Sequence, residues 1–194
     1  MAVPTRDDAW ELVREWIDSD SLRKHVLAVE ASMGGYARRG GEDEELWGIT
    51  GLVHDLDYER YPDPDTGHPR MALEALCEHG YPDELIDAVA GHAEYLGVPR
   101  VTPLARTLFA VDELSGFVAA CALVRPTRIE GLKPKSVRKK LAQPSFASKV
   151  DRDQIRRGIE ELGVDESEHI QVVIDAMAAR ADQLGLAPDP DPPA

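Results

Sequence analysis

The chain has 194 residues, 43% of them apolar and 30% charged, and carries a formal charge of −14. That length suits one domain with a substantial core, and that charge repels nucleic acid polymers and anionic membranes at long range. The opening "MAVPTRDDAW" lacks a basic-then-apolar leader and no apolar run is long enough to span a bilayer, so a cytoplasmic protein is expected.

In chain order, Leu22, His25, Val26, Val29, Met33 and Tyr36 recur every three to four residues, the spacing of a helix with one buried stripe. Leu46, Ile49, Leu52, Val53 and Leu56 repeat the pattern. The segment "YPDELIDAVAGHAEYL" opens with Pro82 and Asp83, the latter expected as N-cap, and puts Leu85, Ile86, Val89, His92 and Leu96 on one face. Thr102 and Pro103 read as cap and first residue of the most apolar helix, running to Val124. Ile170, Val173, Ile174, Met177, Ala181 and Leu184 mark another amphipathic stripe. Turn residues gather at 61–69 and 125–136. No run alternates with period two, so the prediction is a single all-α domain over residues 1–184. A disordered Pro/Asp-rich tail is expected over 185–194. Cys77 and Cys121 form no CxxC pair, and both are expected as buried small hydrophobes.

Two positions resist a purely structural reading. The stretch "LVHDLDYERYPD" ends an apolar helix on His54 and Asp55 with further acids close behind. Asp112, in "LFAVDELSGFVAA", lies on a face that otherwise buries itself, which is costly unless an arginine, a donor or a metal compensates it. Imidazole nitrogen with carboxylate oxygen suits Mn, Fe, Co, Ni or Zn better than calcium. Taken singly, His25 and His92 read as satisfied core residues, His79 as a helix-end dipole partner and His169 as a solvated surface group.

Histidine, then His-Asp, then aspartate on successive helices resembles the HD-domain superfamily of metal-dependent phosphohydrolases. The pattern is met by His25, by "VHDLD" and by "AVDELSGF". The resemblance implies a helical bundle in which His25, His54, Asp55 and Asp112 bind one divalent metal. In two-metal members, two further histidines fall in the interval that His68 and His92 occupy, with Asp55 bridging the ions. His68 precedes Pro69, which biases it to an extended conformation at a helix start, where it either points into a cleft or caps the helix. The sequence departs from the common His-Asp-Ile-Gly form, since Asp57 stands in place of glycine and no lysine follows directly. Asp57 and Glu59 are either acid/base groups beside the metals or members of a solvated loop.

The function this implies is hydrolysis of a small phosphorylated metabolite, such as a nucleotide or dinucleotide, by water activated on one or two divalent ions. A di-iron oxygenase and a non-catalytic nucleotide-binding module are the alternatives. Eleven of the chain's 22 basic residues lie between Arg125 and Arg157. They are either a solvated face or a phosphate grip folded over the metals, with Lys135, Arg138 and Lys139 as candidates for substrate binding. Neither a nucleic acid polymer nor a membrane is expected as partner.

Overall fold

The computed structural model describes residues 4–188, which fold into α-helices with no strand among them. The helices are α1 (Arg6–Trp16), α2 (Asp20–Gly40), α3 (Glu44–Val53), α4 (Arg70–Glu78), α5 (Asp83–His92), α6 (Pro103–Leu123), α7 (Pro134–Leu141), α8 (Arg152–Leu162), α9 (Glu166–Ala178) and α10 (Ala181–Leu184). A short 3₁₀ turn, Glu94–Leu96, follows α5.

Local chemistry starts most of these helices. Thr5, Ser19, Asp43, Thr102, Asp151 and Asp165 cap α1, α2, α3, α6, α8 and α9 by accepting first-turn N–H groups. The expected cap at Asp83 is not one. Proline 82 holds the cap position in an extended conformation, and Asp83 is the first helical residue, where its charge faces the positive end of the dipole.

The long helices α2 and α6 run through the middle of the molecule. Helix α6 is the most thoroughly buried, with Leu108, Val111, Leu114, Phe117 and Val118 all shielded from solvent. One apolar cluster joins it to α2, α7, α8 and α9, and a second lies among α1, α3, α4 and α5. Two glycines set the spacing. A Cβ on Gly51 would sit 2.9 Å from the Glu30 backbone nitrogen, and one on Gly158 would sit 2.6 Å from Ala110 Cα. Helix α3 therefore lies hard against α2, and α8 against α6. Glu30, buried on α2, is held by Arg6 at 2.9 Å and Arg180 at 2.8 Å, so its charge is compensated from both ends of the chain.

Three expectations need correction here. Cys121 is buried but Cys77 is exposed, because α4 turns Ala72, Ala75 and Leu76 inward and leaves Cys77 outside that stripe. The tail was expected to leave the fold at residue 185. Instead Leu186 is 2% exposed, its N–H donates to the Ala181 carbonyl, and its carbonyl accepts from Ile129. The rest of that tail, residues 189–194, lies outside the described residues. Finally, His169 is fully buried rather than solvated. It shares the inward face of α9 with Ile170 and Val173, while its neighbours Glu166 and Glu168 face outward.

Candidate metal centre

Five segments converge on one cleft. His25 comes from α2, His54 from the C-cap of α3 and Asp55 from the turn that follows. His68 stands just ahead of α4, His92 is the last residue of α5, and Asp112 lies at the middle of α6. All six side chains are largely buried, and the cleft above them has a volume of about 590 Å³.

Asp55 divides the cluster in two. Its Oδ2 lies 3.6 Å from His25 Nε2 and 3.5 Å from His54 Nε2, while its Oδ1 lies 3.6 Å from both His68 Nε2 and His92 Nε2. Asp112 Oδ1 closes the first group at 3.1 Å from His25 Nε2 and 3.3 Å from His54 Nε2. In the second group, the Nε2 atoms of His68 and His92 are 3.2 Å apart. Ligands bound at about 2.1 Å to a single ion stand roughly 3.0 Å apart in an octahedron and about 3.4 Å apart in a tetrahedron. The observed spacings are those of coordination edges.

The hydrogen bonds behind the cluster fix which nitrogen faces it. His54 Nδ1 donates to the Gly51 carbonyl at 2.9 Å, His92 Nδ1 donates to the Val89 carbonyl, and His68 Nδ1 donates to Asp57 Oδ1 at 2.7 Å. A carbonyl only accepts, so His54 and His92 carry their protons on Nδ1 and turn an Nε2 lone pair inward. This outer-sphere arrangement orients metal-bound imidazoles. His54 Nε2 is fully buried and has no hydrogen-bond partner. Its lone pair looks at two carboxylate oxygens, an arrangement stable only with a positive charge between them. Burial on its own would lower the His54 pKa, yet Asp55 and Asp112 raise it to about 9, so the pocket demands a cation even when that cation is a proton. Burial would push both carboxyls up, but His54 and its neighbouring histidines hold Asp55 and Asp112 below the usual carboxylate range. The donor set of imidazole and carboxylate fits a divalent transition metal.

The other residues singled out in the sequence fall elsewhere. Asp57 is buried, with Oδ1 on His68 and Oδ2 accepting from Ala72 N at 2.9 Å, so it has no access to substrate. It is a positioning residue for His68 rather than an acid or base. Glu59 is also displaced from the chemistry, because its Oε2 accepts from Asp18 N at 2.9 Å and Ser19 N at 3.0 Å and so ties the His-Asp turn to the start of α2. Lys135, Arg138 and Lys139 do not overhang the cleft. They line a separate groove with Arg152 and Arg156, and Arg138 pairs with Glu166 at 2.6 Å. Helix α7 packs on α6 and α9, which turns its basic face away from the cluster.

Several cleft residues escaped the sequence reading, namely Tyr58, Tyr95, Glu113 and Gln154. Tyr58 stands edge-on to the His68 ring, and Tyr95 donates to the His68 carbonyl at 2.7 Å. Burial, then the charge of Asp112, raises Glu113 to about 7. The available signals were adjacency to Asp112 for Glu113 and to the His-Asp turn for Tyr58. Gln154 offered none, being brought in by α8.

Comparison with known proteins agrees with this geometry. The HD domain family matches residues 22–116, from the first turn of α2 to the middle of α6. These residues form an HD domain. HD domains bind divalent metals and make up a superfamily of metal-dependent phosphohydrolases, and the matched stretch contains every one of the six clustered side chains. A 92-residue stretch is 30% identical to Ribonuclease Y 2 of Levilactobacillus brevis, covering 47% of this chain and 17% of that protein. The chain thus spans less than a fifth of that relative. No solved structure matched the chain. Outside the HD domain, α7 to α10 complete the core around α6, and no helix among the described residues is long and apolar enough to cross a membrane.

Proposed function

We propose that the chain is a phosphohydrolase that binds two divalent transition-metal ions and acts on a small phosphorylated metabolite. The observation that carries this reading is the orphaned Nε2 of His54, buried among carboxylates inside the HD domain. His25, His54, Asp55 and Asp112 would hold one ion, and Asp55, His68 and His92 the other. Ions bound there supply Lewis acidity and lower the pKa of a bound water.

The remaining work falls to the chain. Asp55 keeps its two oxygens turned to opposite halves of the cluster. The outer oxygen of Asp112, turned toward Gln154 Nε2 at 3.5 Å, is placed to accept a hydrogen bond from an incoming water and orient it. Tyr58 and Tyr95 wall the cleft and narrow the approach to small substrates. The ribonuclease relative acts by its name on RNA, but a polymer needs a track of cations to neutralise successive phosphates. The cleft has no lysine or arginine in its lining among the described residues.

The test is phosphate release from a panel of small phosphomonoesters by manganese- or iron-loaded protein, with and without oxygen. Release independent of oxygen supports the hydrolase. Oxygen consumption coupled to turnover would replace it with the oxygenase that the same ligands permit.

A further inference from the structure

A cleft that binds phosphate through metals alone has a limited capacity for negative charge. Two divalent ions opposed by the carboxylates of Asp55 and Asp112 leave about two positive charges, enough for one phosphate dianion. A second phosphate or a carboxylate on the substrate would need cations from the protein.

The walls supply the reverse. Glu94, Glu113 and Asp151 line the cleft, with no lysine or arginine among the described lining residues. Their charges are not equally available. Glu94 is paired with Arg157 and lies 3.6 Å from Arg100, so it is neutralised from behind. Asp151 spends its carboxylate on the first turn of α8, accepting from Asp153 N and Gln154 N. Glu113 differs. Its Oε2 accepts one backbone N–H, from Asp151 at 3.1 Å, and it forms no ion pair among the described residues. Helix α6 projects it into the cleft next to Asp112. Tyr58, half exposed, contributes an aromatic ring to the same cleft. A carboxylate with an aromatic face is a pairing that receives an ammonium group.

We infer that Glu113, with Tyr58, determines specificity by selecting a phosphomonoester whose organic end carries a positive charge, and by rejecting one that carries further phosphate or carboxylate. This rests on the hydrolase reading and narrows it. It also places dinucleotides, and any nucleotide with more than one phosphate, among the poor substrates, which narrows the expectation of a nucleotide or dinucleotide. The basic groove beside α7 does not offset this, since it opens elsewhere.

The test uses three phosphonates of similar chain length on manganese-loaded protein: 3-aminopropyl-, butyl- and 2-carboxyethylphosphonate. Calorimetry at about pH 8.5, above the value of about 7 to which burial and Asp112 raise Glu113, should give the amine about tenfold tighter binding than the butyl compound, with the carboxylate weakest, and the spread should shrink in high salt. Glu113→Gln should bring the amine-to-butyl ratio close to one, and Glu113→Lys should invert the order. Equal affinity of the three for the wild-type chain, or an order that Glu113→Lys leaves intact, overturns the inference. The hydrolase reading is read separately, from phosphate release by the corresponding phosphate esters. If the phosphonates bind in the expected order but no ester is cleaved, charge selection stands and hydrolysis falls. If none of the three binds while the esters are cleaved, charge selection falls and hydrolysis stands.

Discussion

Asp57 accepts the Nδ1 proton of His68 at 2.7 Å and, through its other oxygen, the N–H of Ala72 at 2.9 Å. The first bond points His68 Nε2 at Asp55, and the second anchors the carboxylate to the first turn of α4. A residue that interrupts the common form of the motif thus reaches the metal half containing His68 and His92 without touching it.

Replacing Asp57 with asparagine should therefore weaken one ion selectively. An amide cannot accept from both Nδ1 and Ala72 N without turning its NH₂ toward one of those donors. Affinity at the His68–His92 half should fall about 10- to 100-fold, the range typical of such outer-sphere losses. The His25–His54–Asp112 half should hold its ion. Calorimetric titration with manganese should show one tight and one weakened site; two unchanged sites would show that His68 is oriented by its backbone alone.

His169 predicts a pH dependence of stability. Burial, against the opposing effect of the Ala110 carbonyl, lowers its pKa from 6.5 to about 4. Its Nε2–H donates to that carbonyl at 3.1 Å and its Nδ1 accepts from Tyr36. The folded state resists a proton that the unfolded chain takes up. Stability from this group is complete above about pH 6.5, is lost as pH falls towards 4, and amounts to at most about 3 kcal/mol. His169→Gln should lower stability near neutrality yet show a shallower loss between pH 6.5 and 4.5 in urea unfolding of chelator-treated protein. Parallel slopes for the variant and the parent would mean that His169 titrates normally.

Much of this was legible beforehand because helical periodicity is a local signal. The stripes of α2, α3, α5, α6 and α9 follow from apolar spacing, and the six clustered side chains follow from the resemblance to the HD superfamily that the order of histidine, His-Asp and aspartate carries. Side-chain partners across the fold are a different matter. Nothing local says that Asp57 faces inward to His68 while Glu59 faces outward to Asp18 and Ser19, since both sit in one polar turn. His169 lies among acids in the sequence, yet the face of α9 it occupies is set by contact with α2 and α6. The basic run from Arg125 to Arg157 suggested a phosphate grip through composition. Composition does not say where α7 docks.

That docking makes its own prediction. Lys135→Glu with Lys139→Glu should leave KM for a small phosphomonoester within about twofold, because both side chains open onto the groove with Arg152 and Arg156. A tenfold rise in KM would return the basic segment to the cleft.

Asp55 and Asp112 should separate the two halves of the centre. Asp112→Ala removes an oxygen from the His25–His54 half alone, whereas Asp55→Ala removes one from each. Metal content by elemental analysis should drop from two ions per chain to about one in the first variant and to near zero in the second. Far-ultraviolet circular dichroism should retain its helical signal in both. An equal loss in the two variants would contradict the bridging role of Asp55.

The most direct measurement is anomalous diffraction from a manganese-soaked crystal. The account predicts two peaks about 3.5–4 Å apart, one on each side of Asp55, the first within bonding distance of His54 Nε2. A map without peaks at saturating manganese, with Asp55 and Asp112 instead salt-bridged to protonated His25 and His54, would contradict it.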